Sequence, residues 1–248
     1  MKIIDVSQMC HKNKHVFYNV LIDNLIQCFM KFFIDTANLD QIRKANELGI
    51  LDGVTTNPSL MAKEGIQGEE AIRAHYLEIA KMVNGDVSAE VLSSDYEAMV
   101  KEGKELANIH PNIVVKIPCT IDGLRAIHTL REKRYRTNCT LVFNAGQAMM
   151  AARAGASYVS PFIGRIDDIG GNGIALIRQI VDIFDKYETQ TEVLAASIRN
   201  VLHIIQCMEA GADVATCPFA MLMGVMKHPL TESGLKAFME DAAKMKGL

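Results

Sequence analysis

In the run NIVVKIPCT (112–120) a lysine interrupts one of the most apolar stretches of the chain. Ile113, Val114 and Val115 precede Lys116, and Ile117 and Pro118 follow it. β-Branched residues in such a run predict a buried strand, and a buried ammonium is costly unless it is paired or loses its proton. A strand-end lysine can also carry its amine out to water. Apolar neighbours would instead disfavour the charged form and lower its pKa, leaving a free amine. A free amine attacks a carbonyl to form a Schiff base, an electron sink for breaking or making the adjacent carbon–carbon bond. That chemistry needs a positioned acid or base, and Asp35 and Glu90, each closing another apolar run, are the carboxylates on offer.

Other polar residues close runs of the same kind: Thr55, Thr56 and Asn57, then Asn138 with Thr140, Ser160, and Ser197 with Arg199. Any one of them alone could simply cap a following helix, and TTNPS could be no more than a turn with Pro58 opening a helix. Their joint recurrence points to a shared face. Ser197 and Arg199 in SIRN sit where a helix should begin, a setting that suits phosphate. Arg165, in the Gly-rich stretch GRIDDIGGNG, could supply a second guanidinium for bidentate contacts. The seven histidines avoid the expected strand ends, so neither a histidine-bound zinc nor a Ser-His-Asp triad is implied. No G-x-G-x-x-G follows a strand, and no cofactor is called for.

The elements that must position these residues follow one rhythm from Lys31 onward. Expected strands are 31–35, 52–56, 86–92, 112–117, 137–143, 157–162, 191–197 and 212–218, with helical patterns at 39–48, 69–83, 95–108, 121–133, 144–154, 173–187 and 200–209. AGASYVSP and AGADVATCP nearly repeat each other, each with a Gly ending a helix before a strand. Eight strands alternating with helices predict an α/β fold, a (β/α)8 TIM barrel, whose active sites lie at the carboxyl ends of the strands. A doubly wound open sheet is the alternative, but no strand is polar enough to form its edge.

The chain of 248 residues, with 22% charged residues and a net charge of −3, suits one large domain. Nothing in the charge pattern points to nucleic acid, and no apolar run is long enough to span a membrane. Six cysteines without metal-type spacing suit reduced thiols and a cytoplasmic setting. Residues 1–29 lack the strand rhythm and are read as an N-terminal extension, with Met30 as the expected start and 30–248 as a single barrel. At the other end, Leu235, Phe238, Met239 and Ala242 fall on one helical face expected to be buried against another subunit.

Taken together, FIDTAN, GVTTNPSL, VVKIP, NCTLVF, SPFIGRIDD and AASIRN resemble the transaldolase family, in its short, single-barrel branch that also holds fructose-6-phosphate aldolases. The resemblance covers residues 30–248 and implies a class I aldolase barrel with Lys116 as Schiff-base lysine. It assigns proton transfer to Asp35, Glu90 and Thr140, the last two through a bound water. Asn57, Asn138 and Ser160 would hold substrate hydroxyls, and Arg165, Ser197 and Arg199 the phosphate; Thr56 and Phe162 join the substrate-binding set. The implied partners are sugar phosphates and further copies of the chain, as a pentamer or decamer. The implied reaction moves a dihydroxyacetone unit from sedoheptulose 7-phosphate to glyceraldehyde 3-phosphate, giving erythrose 4-phosphate and fructose 6-phosphate, a step of the pentose phosphate pathway. The aldolase branch has Gln where Glu90 stands and Tyr where Phe162 stands, so the resemblance favours the transferase. Fructose-6-phosphate aldolase and a catalytically silent sugar-phosphate-binding barrel are the alternatives. The N-terminal extension and Ile198, in place of a common Phe, depart from the family pattern.

Overall fold

The computed structural model describes residues 29–245, so the expectation for residues 1–29 lies almost wholly outside the described residues. Eight parallel strands close on themselves in sequence order: β1 (Lys31–Asp35), β2 (Gly53–Thr55), β3 (Asp86–Glu90), β4 (Ile113–Pro118), β5 (Thr137–Val142), β6 (Tyr158–Pro161), β7 (Glu192–Ala195) and β8 (Val214–Cys217). β8 returns to pair with β1 from Lys31↔Val214 to Ile34↔Cys217, which leaves no sheet edge and excludes the open sheet. The seven expected helices are α1 (Leu39–Glu47), α3 (Glu69–Met82), α4 (Tyr96–Ala107), α5 (Ile121–Glu132), α6 (Ala145–Ala154), α8 (Gly173–Lys186) and α9 (Val201–Glu209).

Local chemistry fixes the boundaries. Asn38, Asp95, Thr120, Asn144, Asn172 and Asn200 each accept a hydrogen bond from a first-turn backbone N–H, which starts their helices. Gly155, at φ 98°, ends α6, and Gly211, at φ 79°, follows α9, as the repeated AGA motif requires.

Three six-residue helices escape the periodicity: α2 (Pro58–Lys63), α7 (Ile163–Asp168) and α10 (Phe219–Gly224). Each follows directly on a strand and is too short to show a repeating apolar face. Arg165 therefore stands on a helix rather than in a Gly-rich loop. The C-terminal helix α11 (Pro229–Met245) has no buried residue in the single chain.

Alternation along the strands sends one set of side chains into the barrel. Phe33, Val114, Tyr158, Leu194 and Val214 cluster in its lower interior, with the Phe33 and Tyr158 rings edge to face at 6.1 Å. Above this apolar floor the same positions, one pleat on, become Asp35, Lys116, Ser160 and Thr216. The barrel is thus greasy below and polar at the carboxyl ends of its strands.

Candidate active site

The register of β3 and β4 pairs Glu90 directly with Lys116. The Lys116 ammonium lies 3.0 Å from Glu90 Oε2 and donates to the Thr56 carbonyl, also at 3.0 Å. Lys116 is only 5% exposed, so these two oxygens answer for the charge that its apolar strand could not accommodate. The lysine is therefore not an isolated amine in an apolar wall, as its own strand suggested. Its partners come from the neighbouring strand and from the residue after β2, which the local run could not reveal.

Asp35 lies on the cavity wall and accepts a hydrogen bond from the Thr55 hydroxyl at 2.7 Å. Thr55 in turn shares a 2.6 Å hydrogen bond with Thr216. Burial pushes the Asp35 carboxyl above its ordinary range, against the opposing pull of Lys116, the Thr55 hydroxyl and Lys63.

Three of the expected site residues are fully buried and do not line the cavity. Asn138 donates through Nδ2 to Ser88 Oγ (3.1 Å) and accepts at Oδ1 from the Ser160 hydroxyl (2.7 Å), so it braces Ser160 from below. The Thr56 side chain turns away from the cavity to Tyr76, with the two hydroxyls 3.1 Å apart, and only its carbonyl reaches the lysine. Thr140 Oγ1 is buried without a hydrogen-bond partner among the described residues. An unsatisfied buried hydroxyl costs about 1–3 kcal/mol.

The remaining expected residues, Asn57, Ser160, Phe162, Arg165, Ser197 and Arg199, join Asp35, Glu90 and Lys116 around a cavity of about 590 Å³. Asn57 is the helix cap that its position suggested, and it also lines the cavity. It caps α2 by accepting from Leu60 N at 3.0 Å, which leaves Nδ2 to offer a ligand. At the rim the Arg165 guanidinium stacks over the Phe162 ring at 5.0 Å, and Arg199 pairs with Asp168 at 2.6 Å. Gly164 lets these parts meet, since a Cβ there would lie 2.0 Å from Ser197 O and 2.7 Å from Arg199 Cγ.

Sequence reasoning missed Lys63, from the last turn of α2, which adds a third cation to the wall with Arg165 and Arg199. It missed Leu141 as well. A register shift between Cys139 and Val142 accompanies a φ of 60° at Leu141, and the side chain lines the cavity where strict alternation would turn it outward. Tyr76, which touches Thr56 and Glu90, reads in sequence as one more apolar-face residue of α3.

Fold and site together define a (β/α)8 barrel that holds a buried lysine and two carboxyls under a cation-rimmed cavity. A profile of the family described as Transaldolase/Fructose-6-phosphate aldolase matches residues 32–247. "Probable transaldolase" from Parabacteroides distasonis is 66% identical over 218 residues, 88% of this chain and all of the relative. The Porphyromonas gingivalis protein of the same name is 66% identical over 212 residues, 86% of this chain and 96% of the relative. That of Bacteroides thetaiotaomicron is 62% identical over 218 residues, 88% of this chain and all of the relative. The chain belongs to the transaldolase/fructose-6-phosphate aldolase family. Among solved structures, a 2,3-dimethylmalate lyase of the PEP mutase/isocitrate lyase superfamily aligns with a TM-score of 0.56 at 13% identity, covering 93% of this chain and 88% of that one. That likeness concerns the barrel alone.

Proposed function

We propose that the chain is a transaldolase, transferring a dihydroxyacetone unit between sugar phosphates through a Schiff base on Lys116. The observation that carries this reading is the Lys116–Glu90 pair, 3.0 Å apart at the base of a cavity rimmed by Arg165, Arg199 and Lys63. Glu90 is the nearest carboxylate able to accept the ammonium proton. The freed amine adds to the ketose carbonyl carbon. The carbonyl oxygen takes back the proton held by Glu90 and a second one from the amine nitrogen, relayed by Asp35, and leaves as water. A protonated imine remains, and Glu90 is again a carboxylate. Asp35, whose carboxyl is held above its ordinary range, is suited to give and take the protons of that step.

Cleavage then needs a base for the hydroxyl on the carbon that departs as aldehyde. Glu90 fills this role through a water that Thr140, with its unpartnered hydroxyl, is suited to hold. The electrons of the broken carbon–carbon bond pass into the imine, giving an enamine that waits for an acceptor aldehyde. Asn57 and Ser160 line the path of the sugar hydroxyls, with Asn138 behind Ser160, and Arg165, Ser197 and Arg199 receive the phosphate. Thr56 acts through its carbonyl rather than its side chain.

The relatives' name and the presence of Glu90 and Phe162 support transfer over free aldol cleavage. The donor and acceptor follow the family resemblance: sedoheptulose 7-phosphate and glyceraldehyde 3-phosphate, within the pentose phosphate pathway. Residues 30–248 form the catalytic unit in this reading, assembled as a homo-oligomer through α11. The free thiols of Cys119, Cys139, Cys207 and Cys217 support a cytoplasmic setting, and no described helix is long and apolar enough to cross a membrane.

The test is borohydride trapping with fructose 6-phosphate. A covalent adduct should map to Lys116, and Lys116→Met should lose both the adduct and turnover. An adduct that persists in that variant would place the reactive amine elsewhere.

A further inference from the structure

The pair at the base of the cavity is braced from outside the barrel. Tyr76, on α3, is 2% exposed. Its hydroxyl accepts a hydrogen bond from the Glu90 backbone N–H at 3.2 Å and lies 3.1 Å from the Thr56 hydroxyl. Glu90 and Thr56 are the two residues whose oxygens hold the Lys116 ammonium, each at 3.0 Å. One phenol thus ties together the ends of β2 and β3 where each supplies a ligand to the amine.

The backbone pattern gives this contact its meaning. Thr56 N donates to Ser88 O at 3.3 Å, a rung of the parallel β2–β3 ladder. The next rung of such a ladder would run from the Glu90 N–H to the Thr56 carbonyl. Here the Glu90 N–H goes to Tyr76 instead, and the Thr56 carbonyl takes the lysine. We propose that Tyr76 is a positioning residue for the reactive amine: by capturing the Glu90 N–H it frees the Thr56 carbonyl to orient Lys116, and it fixes the strand end that carries the Glu90 carboxylate. Burial pushes the Tyr76 phenol up, in keeping with a neutral hydroxyl at these two contacts.

The inference rests on the assignment of Lys116 as the reacting amine, and the experiment separates the two. Tyr76→Phe keeps the ring and removes only the hydroxyl. The Glu90 N–H is then unpaired, and the Thr56 carbonyl is its nearest alternative acceptor, in competition with Lys116. Well below the variant's Tm, kcat for ketose–aldehyde exchange should fall about tenfold or more, on the scale of one unmade buried hydrogen bond. The rate of borohydride trapping should fall by the same factor, with KM within about twofold because the phosphate ligands are untouched. Thr56→Val keeps the carbonyl and removes one anchor of the Tyr76 hydroxyl. It should lower kcat in the same direction, and the two changes combined should cost less than the product of their separate effects. Should Tyr76→Phe fail to fold, a kcat loss at unchanged KM in Thr56→Val supports the proposal and an unchanged kcat overturns it. A well-folded Tyr76→Phe enzyme with unchanged kcat and trapping rate would equally overturn it. No trapping at Lys116 in the unaltered protein would instead remove the lysine assignment, and this inference with it.

Discussion

At the scale of a single residue, the reading of Asp35 as an acid–base group sets stability against chemistry. Its carboxyl is raised above the ordinary range chiefly by burial. A raised carboxyl binds its proton more tightly in the folded chain than in the unfolded one. Its contribution to stability is therefore complete below the ordinary carboxyl pKa and is lost as pH rises through the folded value. At neutral pH the buried carboxylate is a burden, so Asp35→Asn should raise Tm at pH 7. The gain should shrink as pH falls toward 4, while exchange activity drops by about a hundredfold or more, the scale of a missing acid–base group. Thermal scans at the two pH values, beside an activity assay, check both halves; a Tm gain independent of pH would contradict the argument. Side-chain type made Lys116, Asp35 and Glu90 legible in the sequence, because charged groups closing apolar runs stand out. Depth was not legible. Only packing shows that Asn138 and Thr140 are buried outside the cavity lining rather than on it.

The strand–helix rhythm survives folding to within two residues at each end, because the strands are mostly apolar runs and most of the long helices have both a capping side chain and an apolar stripe. What the rhythm could not carry is what short elements do. α2 contributes Asn57 at its cap and Lys63 at its end, and α7 sets Arg165 over Phe162. Tyr76 was invisible for the opposite reason, since a tyrosine on the buried face of α3 looks like core until its hydroxyl is traced. Gly164 holds α7 against the segment after β7, with no room for a Cβ beside Ser197 O and Arg199. Gly164→Ala should push Arg165 and Arg199 out of line. We expect KM for phosphorylated sugars to rise about tenfold or more, as befits weakened charge-assisted contacts, with much less change for an unphosphorylated ketose such as fructose as donor. Equal changes for both donors would mean that the helix holds the barrel rather than the phosphate.

Across the whole molecule, two features remain to be matched with partners. α11 leaves Leu235, Phe238 and Met239 at 59%, 75% and 65% exposure in the single chain, on the face expected to meet a second subunit. Removing residues 229–248 should lower the oligomer size seen by light scattering; an unchanged size would place the contact elsewhere. The other feature is the balance of the whole cavity between holding and releasing a bound carbanion. Phe162 has no proton to give, and its ring sits under Arg165, so the three-carbon unit left on Lys116 should persist until an aldehyde arrives. Phe162→Tyr should move activity toward cleavage without an acceptor. The most direct test of transfer is turnover of fructose 6-phosphate by the unaltered protein, with and without an aldehyde acceptor such as erythrose 4-phosphate. A transaldolase gives rapid exchange with the acceptor and little free dihydroxyacetone without it, whereas ready release of dihydroxyacetone with no acceptor present would contradict that assignment and make the protein an aldolase.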